Sequence, residues 1–230
     1  MGRGRKLVVA AVAAVALAVF GARVWFVNAH AQAIPVQTHQ MGEKVDLDGN
    51  FLEFASEKTE GYSITVLGAR AMTSREYAEA YAAEGVDVDA GLGQIAQGMG
   101  AGDSEGEAAL DEKTEIVLDV EVRNDGNEDG YLMAMSWRVI PDGARDAAYQ
   151  PDFSLWSLAN PAMGSQIGFT IRSGTTMTLH IPFYRNLTRP PFKSDDYSYV
   201  AVVGEEPFFL QVSNVPVRQV VELGVPAGSE

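Results

Sequence analysis

From Glu115 to Arg123 the chain alternates strictly. Ile116, Leu118, Val120 and Val122 fall on one side, and Val117, Asp119, Glu121 and Arg123 on the other. Only an extended strand with one buried face satisfies a period of two. A turn cluster, Asn124-Asp125-Gly126-Asn127-Glu128-Asp129-Gly130, follows. A second alternating run comes next, with Tyr131, Met133, Met135, Trp137 and Val139 facing one way and Leu132, Ala134, Ser136 and Arg138 the other. Two such runs about an Asn/Asp/Gly turn predict a long β-hairpin whose apolar face the rest of the chain covers. Further strands are expected at Tyr62–Leu67, Phe208–Val212, Val215–Val221 and Tyr197–Val203. A second hairpin is expected with Ile167–Ile171 and Met177–Phe183 joined by Ser173-Gly174. Many short strands at close turn spacing predict an all-β sandwich.

Thr73–Glu84 is the well-signalled helix of the body. Thr73 and Glu76 fit a capping box, Met72 and Tyr77 fit the accompanying staple, and Gly85 fits a stop. Val86–Lys113 is rich in glycine and acid and reads as a mobile excursion, with a loose helical turn around Leu92–Met99. Phe153–Leu158 is apolar but of undecided type. Residues 34–41 read as a Pro-containing spacer, 42–223 as the sandwich and 224–230 as a tail.

Residues 1–33 carry Arg3, Arg5, Lys6 and Arg23 and no acid. An apolar run from Leu7 to Gly21 follows the basic start and resumes at Val24-Trp25-Phe26-Val27. It matches the ~20 residues a bilayer helix needs. Cleavage at Ala29-His30-Ala31 or Ala31-Gln32-Ala33 is the competing reading, a signal peptide. Length favours the anchor, and both readings put the basic end inside and the body outside. The chain is therefore expected in the cell membrane as a single-pass protein with an extracellular body, or secreted if the segment is cut. The whole chain carries −14, and without the four N-terminal cations the remainder carries −18. Such a body repels phosphate backbones and argues against nucleic acid as a partner. There is no cysteine, which removes disulfides, thiol catalysis and thiolate metal sites.

Four pieces carry a resemblance. They are the Asp48-Gly49-Asn50-Phe51 turn; the Gly61–Val66 strand leading to Arg75-Glu76-Tyr77; the Glu115–Asn124 strand ending in Arg123-Asn124; and Asn160-Pro161 ahead of Ile167. Their order resembles the membrane-anchored, immunoglobulin-like extracytoplasmic domains of unknown function of gut-dwelling Gram-positive bacteria. The resemblance spans roughly Gly42 to Leu223 and implies an immunoglobulin-like antiparallel sandwich with one short helix. It implies no activity, no cofactor and no binding residues.

The residues that could carry chemistry are few. Asp125, Asn127 and Asp129 have the alternate oxygens of a calcium loop, but Ser136 stands where the closing bidentate Glu belongs, so an acidic turn is the expected structure. Gly91-Leu92-Gly93 imitates a dinucleotide fingerprint without the βαβ context that gives it meaning. His180 points away from the face of Leu179 and Ile181, and no nucleophile elbow accompanies it. Tyr184, Arg185, Arg189 and Phe192, stiffened by Pro190-Pro191, form an aromatic–basic cluster on an acidic protein and are the expected partner contact. The expectation is a non-catalytic, surface-tethered binding or accessory module. It contacts the membrane through the N-terminal helix and meets an envelope or surface protein. A calcium-dependent adhesive module and an envelope carboxylate hydrolase are the alternatives.

Overall fold

The computed structural model describes residues 3–30, 34–53, 56–98, 110, 114–142, 148–163, 168–184 and 207–225. The chain divides into two compact units, Met1–Ile34 and Pro35–Glu230. The first holds helix α1, Arg3–His30. Its side chains are described for residues 12–27, where Val12, Leu17, Phe20 and Trp25 are each about two-thirds exposed. Among the described residues no helix is long and apolar enough to cross a membrane.

The second unit is mostly β. Its strands are β1 (Val36–Gln40), β2 (Lys44–Asp46), β3 (Tyr62–Thr73), β4 (Thr114–Asn124), β5 (Leu132–Met133), β6 (Arg138–Pro141), β7 (Gln150–Pro151), β8 (Gly168–Phe169), β9 (Thr175–Tyr184), β10 (Phe208–Gln211) and β11 (Arg218–Gly224). They form a five-stranded sheet in the order β2-β3-β4-β9-β7, a four-stranded sheet in the order β1-β11-β10-β6, and a small β5-β8 pair. Both large sheets feed one apolar core. Ile64, Val66, Leu118, Val120, Leu179 and Ile181 enter it from the first, and Val139, Leu210 and Val221 from the second, all essentially inaccessible to water. Burying a Val, Leu or Ile side chain contributes about 1.5–3 kcal/mol, so this core dominates stability in a body without disulfides.

Period two assigns the faces of β3, β4 and β9 correctly, but not those of Tyr131–Ser136. There Leu132, Ala134 and Ser136 are buried, Tyr131, Met133 and Met135 only partly so, and a 3-10 turn breaks the alternation. Neither predicted hairpin forms. β4 is the central strand of its sheet, antiparallel to β3 on one side and to β9 on the other. The run after the Asn124–Gly130 turn crosses away. Tyr131 bridges Lys58, Leu132-Met133 pairs with β8, a 3-10 turn spans Ala134–Ser136, and β6 joins the other sheet. Buried Asn124 explains the departure. Its side-chain amide donates to the carbonyls of Asn127 and Ile171, both at 2.7 Å, and its oxygen accepts the Asn127 N–H at 2.9 Å. The loop is folded onto itself and does not return the chain alongside β4. The Ser173-Gly174 turn exists, but it leads β9 onto β4 while Gly168-Phe169 pairs with β5. Ile167 lies outside the described residues, as does the Tyr197–Val203 strand.

Part of the expected spacer is also structured. Val36–Gln40 forms edge strand β1, parallel to β11.

Helix α2 (Ser74–Tyr81) starts as its sequence dictates. Glu76 N–H donates to Thr73 Oγ1 at 3.1 Å, and Thr73 N–H donates to the Glu76 carboxylate at 2.6 Å. It ends at Ala82, ahead of Gly85. The Gly-rich stretch is a larger correction. Val88–Gly98 is an eleven-residue helix, α3, and the Asp87 carboxylate accepts the Ala90 N–H at its start. Leu92 and Ala96, one turn apart, are buried with Tyr77, Ala78, Leu110, Val117 and Leu155 in a second core. That packing outweighs the ~1 kcal/mol per glycine that favours coil. At Gly91 the helix comes close to Leu158: a Cβ there would stand 2.6 Å from Leu158 Cδ2, and that side chain would have to shift. Phe153–Ala159 resolves as helix α4, capped by Asp152, which accepts the N–H groups of Ser154 and Leu155. Replacing Thr73 by Ala removes the α2 cap, and chemical denaturation should show a loss of about 1 kcal/mol.

Candidate functional site

The outer face of the five-stranded sheet is covered at one end and open at the other. Registry sets its rows. Val117 lies between Arg70 and Pro182, Asp119 between Gly68 and His180, Glu121 between Thr65 and Thr178, and Arg123 between Ser63 and Thr176. Val117 is buried beneath the helices by Tyr77 and Leu155. The rows of Glu121 and Arg123 form a polar shelf.

A cluster of four side chains marks the boundary. The Arg70 guanidinium donates through Nη2 to both Asp119 oxygens, at 2.7 and 2.8 Å, and to the Tyr81 hydroxyl. His180 Nδ1 lies 2.5 Å from Asp119 Oδ1. The Tyr81 ring stacks on the imidazole, with centroids 4.3 Å apart and planes 19° apart, and the Arg70 guanidinium carbon lies 5.6 Å from the same ring centroid. Burial pushes the Tyr81 hydroxyl above its ordinary range, against the pull of the Arg70 charge. Neighbouring Tyr77 donates its hydroxyl to the His180 carbonyl at 2.8 Å, and burial raises it too. One carboxylate therefore ties β3, β4 and β9 together, and Tyr81 fastens α2 to them. Asp119 is spent on two partners and the imidazole is held by a ring, which makes the cluster a brace.

Beyond it the shelf holds a hollow of about 360 Å³, lined by Lys44, Ser63, Thr65, Glu121, Arg123 and Asp125. Both cations in it are paired: Lys44 with Asp46 at 2.6 Å, and Arg123 with Asp125 at 2.7 Å. The Asp46 hydrogen bond raises the Lys44 amine above its ordinary range.

Of the residues singled out by sequence, Asp125 thus sits at the hollow. Asn127 braces its loop: its amide donates to the Glu60 carbonyl at 2.8 Å, and its oxygen accepts the Asp129 N–H at 3.1 Å. Asp129 is exposed. Among the described residues no three His, Asp or Glu side chains group to hold a metal ion. Tyr184, at the end of β9, accepts the Gln150 side-chain amide at 2.9 Å. Arg185, Arg189 and Phe192 lie outside the described residues. His180 does face away from Leu179 and Ile181, as alternation requires. Its partners Arg70, Tyr81 and Asp119 were not read from sequence, because cross-strand registry alone brings them together. The same holds for Lys44, Thr65 and Glu121. A signal was present in the polar residues of β4, each of which needs a neighbour on its own face.

Two sheets over a shared core, with three short helices on half of one outer face and a polar shelf on the rest, define a mostly β extended-surface domain. Residues 36–219 match the family described as Domain of unknown function (DUF5028), and the chain belongs to that family. No curated protein and no solved structure matches it.

Proposed function

We propose that the protein is a membrane-tethered, non-catalytic binding module displayed outside the cytoplasm, and that it meets its partner on the open half of the five-stranded sheet. The observation that carries this reading is the half-covered face. The helices bury one end of it in an apolar core, while the other end presents charged and hydroxyl side chains around a hollow. Tethering is supported by α1. Its large apolar side chains between Val12 and Val27 are exposed, a contact that water penalises and lipid does not, and the cations that precede the apolar run in the sequence set the basic end inside. The body belongs to this proposal as an immunoglobulin-like sandwich, supported by its two antiparallel-rich sheets and by the resemblance above. A non-enzymatic role is supported by the use of Asp119 and His180 as a brace.

The test is positional. A photo-cross-linking residue at exposed Thr178, on the shelf, is compared with one at exposed Glu79, on α2, in the full chain within cell envelopes. Capture of an envelope component from Thr178 and not from Glu79 is expected. Equal capture from both positions overturns the assignment of the shelf.

A further inference from the structure

We infer that the ligand of this shelf is a neutral oligosaccharide; the inference rests on the binding role just proposed. The first ground is charge. The body carries a strong negative charge, so anionic polymers are repelled at a distance. At the hollow itself Lys44 and Arg123 are each paired within it or at its edge, so they offer donors without a net positive field. The charged side chains of the lining, Lys44 and Arg123 against Glu121 and Asp125, sum to zero, so the hollow itself selects an ion of neither sign. What remains attractive is a ligand with no charge of its own.

The second ground is the pattern of hydrogen-bonding groups. A sugar hydroxyl donates once and accepts, and it meets a matching partner in either sense here. Carboxylate oxygens of Glu121 and Asp125 accept, N–H groups of Lys44 and Arg123 donate, and the hydroxyls of Ser63 and Thr65 do both. Glu121 stands apart from the other acids. It lies between Thr65 and Thr178 with no ion pair among the described residues, so its oxygens are available.

The third ground is shape and apolar contact. From Asp119 to Arg123 the polar rows extend roughly 14 Å at ~3.4 Å per residue, long enough for a short oligomer. Leu67 is 53% exposed where the β3 register shifts between Val66 and Gly68. The partly exposed His180 imidazole, held flat on Tyr81, lies across β4 from it. These two give the C–H faces of a sugar ring something to rest on, with the side-chain-free Gly68 beside Leu67 and the Asp119 carboxylate between the two.

The experiment uses the full chain in detergent micelles on an array of neutral, anionic and amino-bearing oligosaccharides, followed by titration calorimetry of the hits. Retention of neutral oligomers is expected, with an affinity that changes less than about twofold as salt rises, since no charge on the ligand is screened. Glu121→Gln should weaken it at least about tenfold, which is ~1.4 kcal/mol, with the melting temperature unchanged. Retention of anionic or amino sugars only, or of no sugar, overturns the inference, and so does neutral binding that Glu121→Gln leaves intact. Capture from Thr178 but no glycan retention removes the ligand class and leaves the binding face. Loss of both removes the face as well.

Discussion

Gly130→Ala is expected to destabilise the body by about 3 kcal/mol, read as a fall in the denaturation midpoint with an unchanged slope. A Cβ on Gly130 would lie 2.1 Å from Tyr62 Cε2 and 2.8 Å from its Cζ and hydroxyl oxygen. The ring cannot step aside. Tyr62 is 1% exposed, and its hydroxyl accepts the Ile171 N–H at 3.1 Å and donates to the Ile171 carbonyl at 3.4 Å. Moving it breaks both bonds, each worth about 1 kcal/mol net, and disturbs a residue that Asn124 also holds. Overpacking without relief costs about 1–3 kcal/mol more. A second substitution separates clash from backbone. Tyr62→Leu removes the offending edge, so the double variant should be more stable than the sum of the two single losses. Strict additivity, or a Gly130→Ala protein as stable as the parent, would show that the loop is not pinned against this ring.

That contact shows where sequence stops informing. Period two told which side chains of β3, β4 and β9 face the core, because alternation is local. It could not tell which strands lie beside β4. A hairpin from Glu115 to Val139 was the economical guess, since a near neighbour closes the smaller loop. Instead β4 gains paired edges on both sides along nearly its full length, from β3 and β9, which no two-strand ribbon supplies. Tyr62 and Gly130 meet because β3 begins beside the end of β4, where that loop starts, and a contact between residues 68 apart in sequence is invisible to pattern reading. The helix α2 was legible because its signals, Thr73 and Glu76, lie within one turn. Helix α3 was not, because its glycines argue for coil locally while Leu92 and Ala96 are buried in a cluster with residues distant in sequence, among them Tyr77 of α2, Leu155 of α4 and Val117 of β4. The site followed the same rule. His180 could be placed on the outer face, and Asp119 likewise, but their approach depends on a pairing 61 residues apart.

Asp119→Ala should therefore cost more than its place on an open face suggests, about 2 kcal/mol, or a fall of roughly 4–8 °C in melting temperature for a body of this size. The carboxylate is only 18% exposed and is the common acceptor for Arg70 and His180. Its loss leaves a guanidinium and an imidazole, both 38% exposed, facing each other across an empty site. Their exposure limits the penalty, because water re-solvates each of them in part, which is why the value sits well below that of a fully buried pair. The brace also spans elements: β3 through Arg70, β9 through His180, and α2 through Tyr81 on both. Asp119→Asn keeps an acceptor oxygen but not the charge, so it should lose about half as much. The decisive measurement is a double-mutant cycle between Asp119→Ala and Arg70→Met, with a coupling of about 1 kcal/mol expected. Hydrogen exchange should sharpen it, since slackening of the brace should raise exchange in α2 before β4, the strand held by neighbours on both sides. A coupling near zero, with α2 protected as in the parent, would mean that the helices are held by their apolar core alone and that this cluster is free to act in binding.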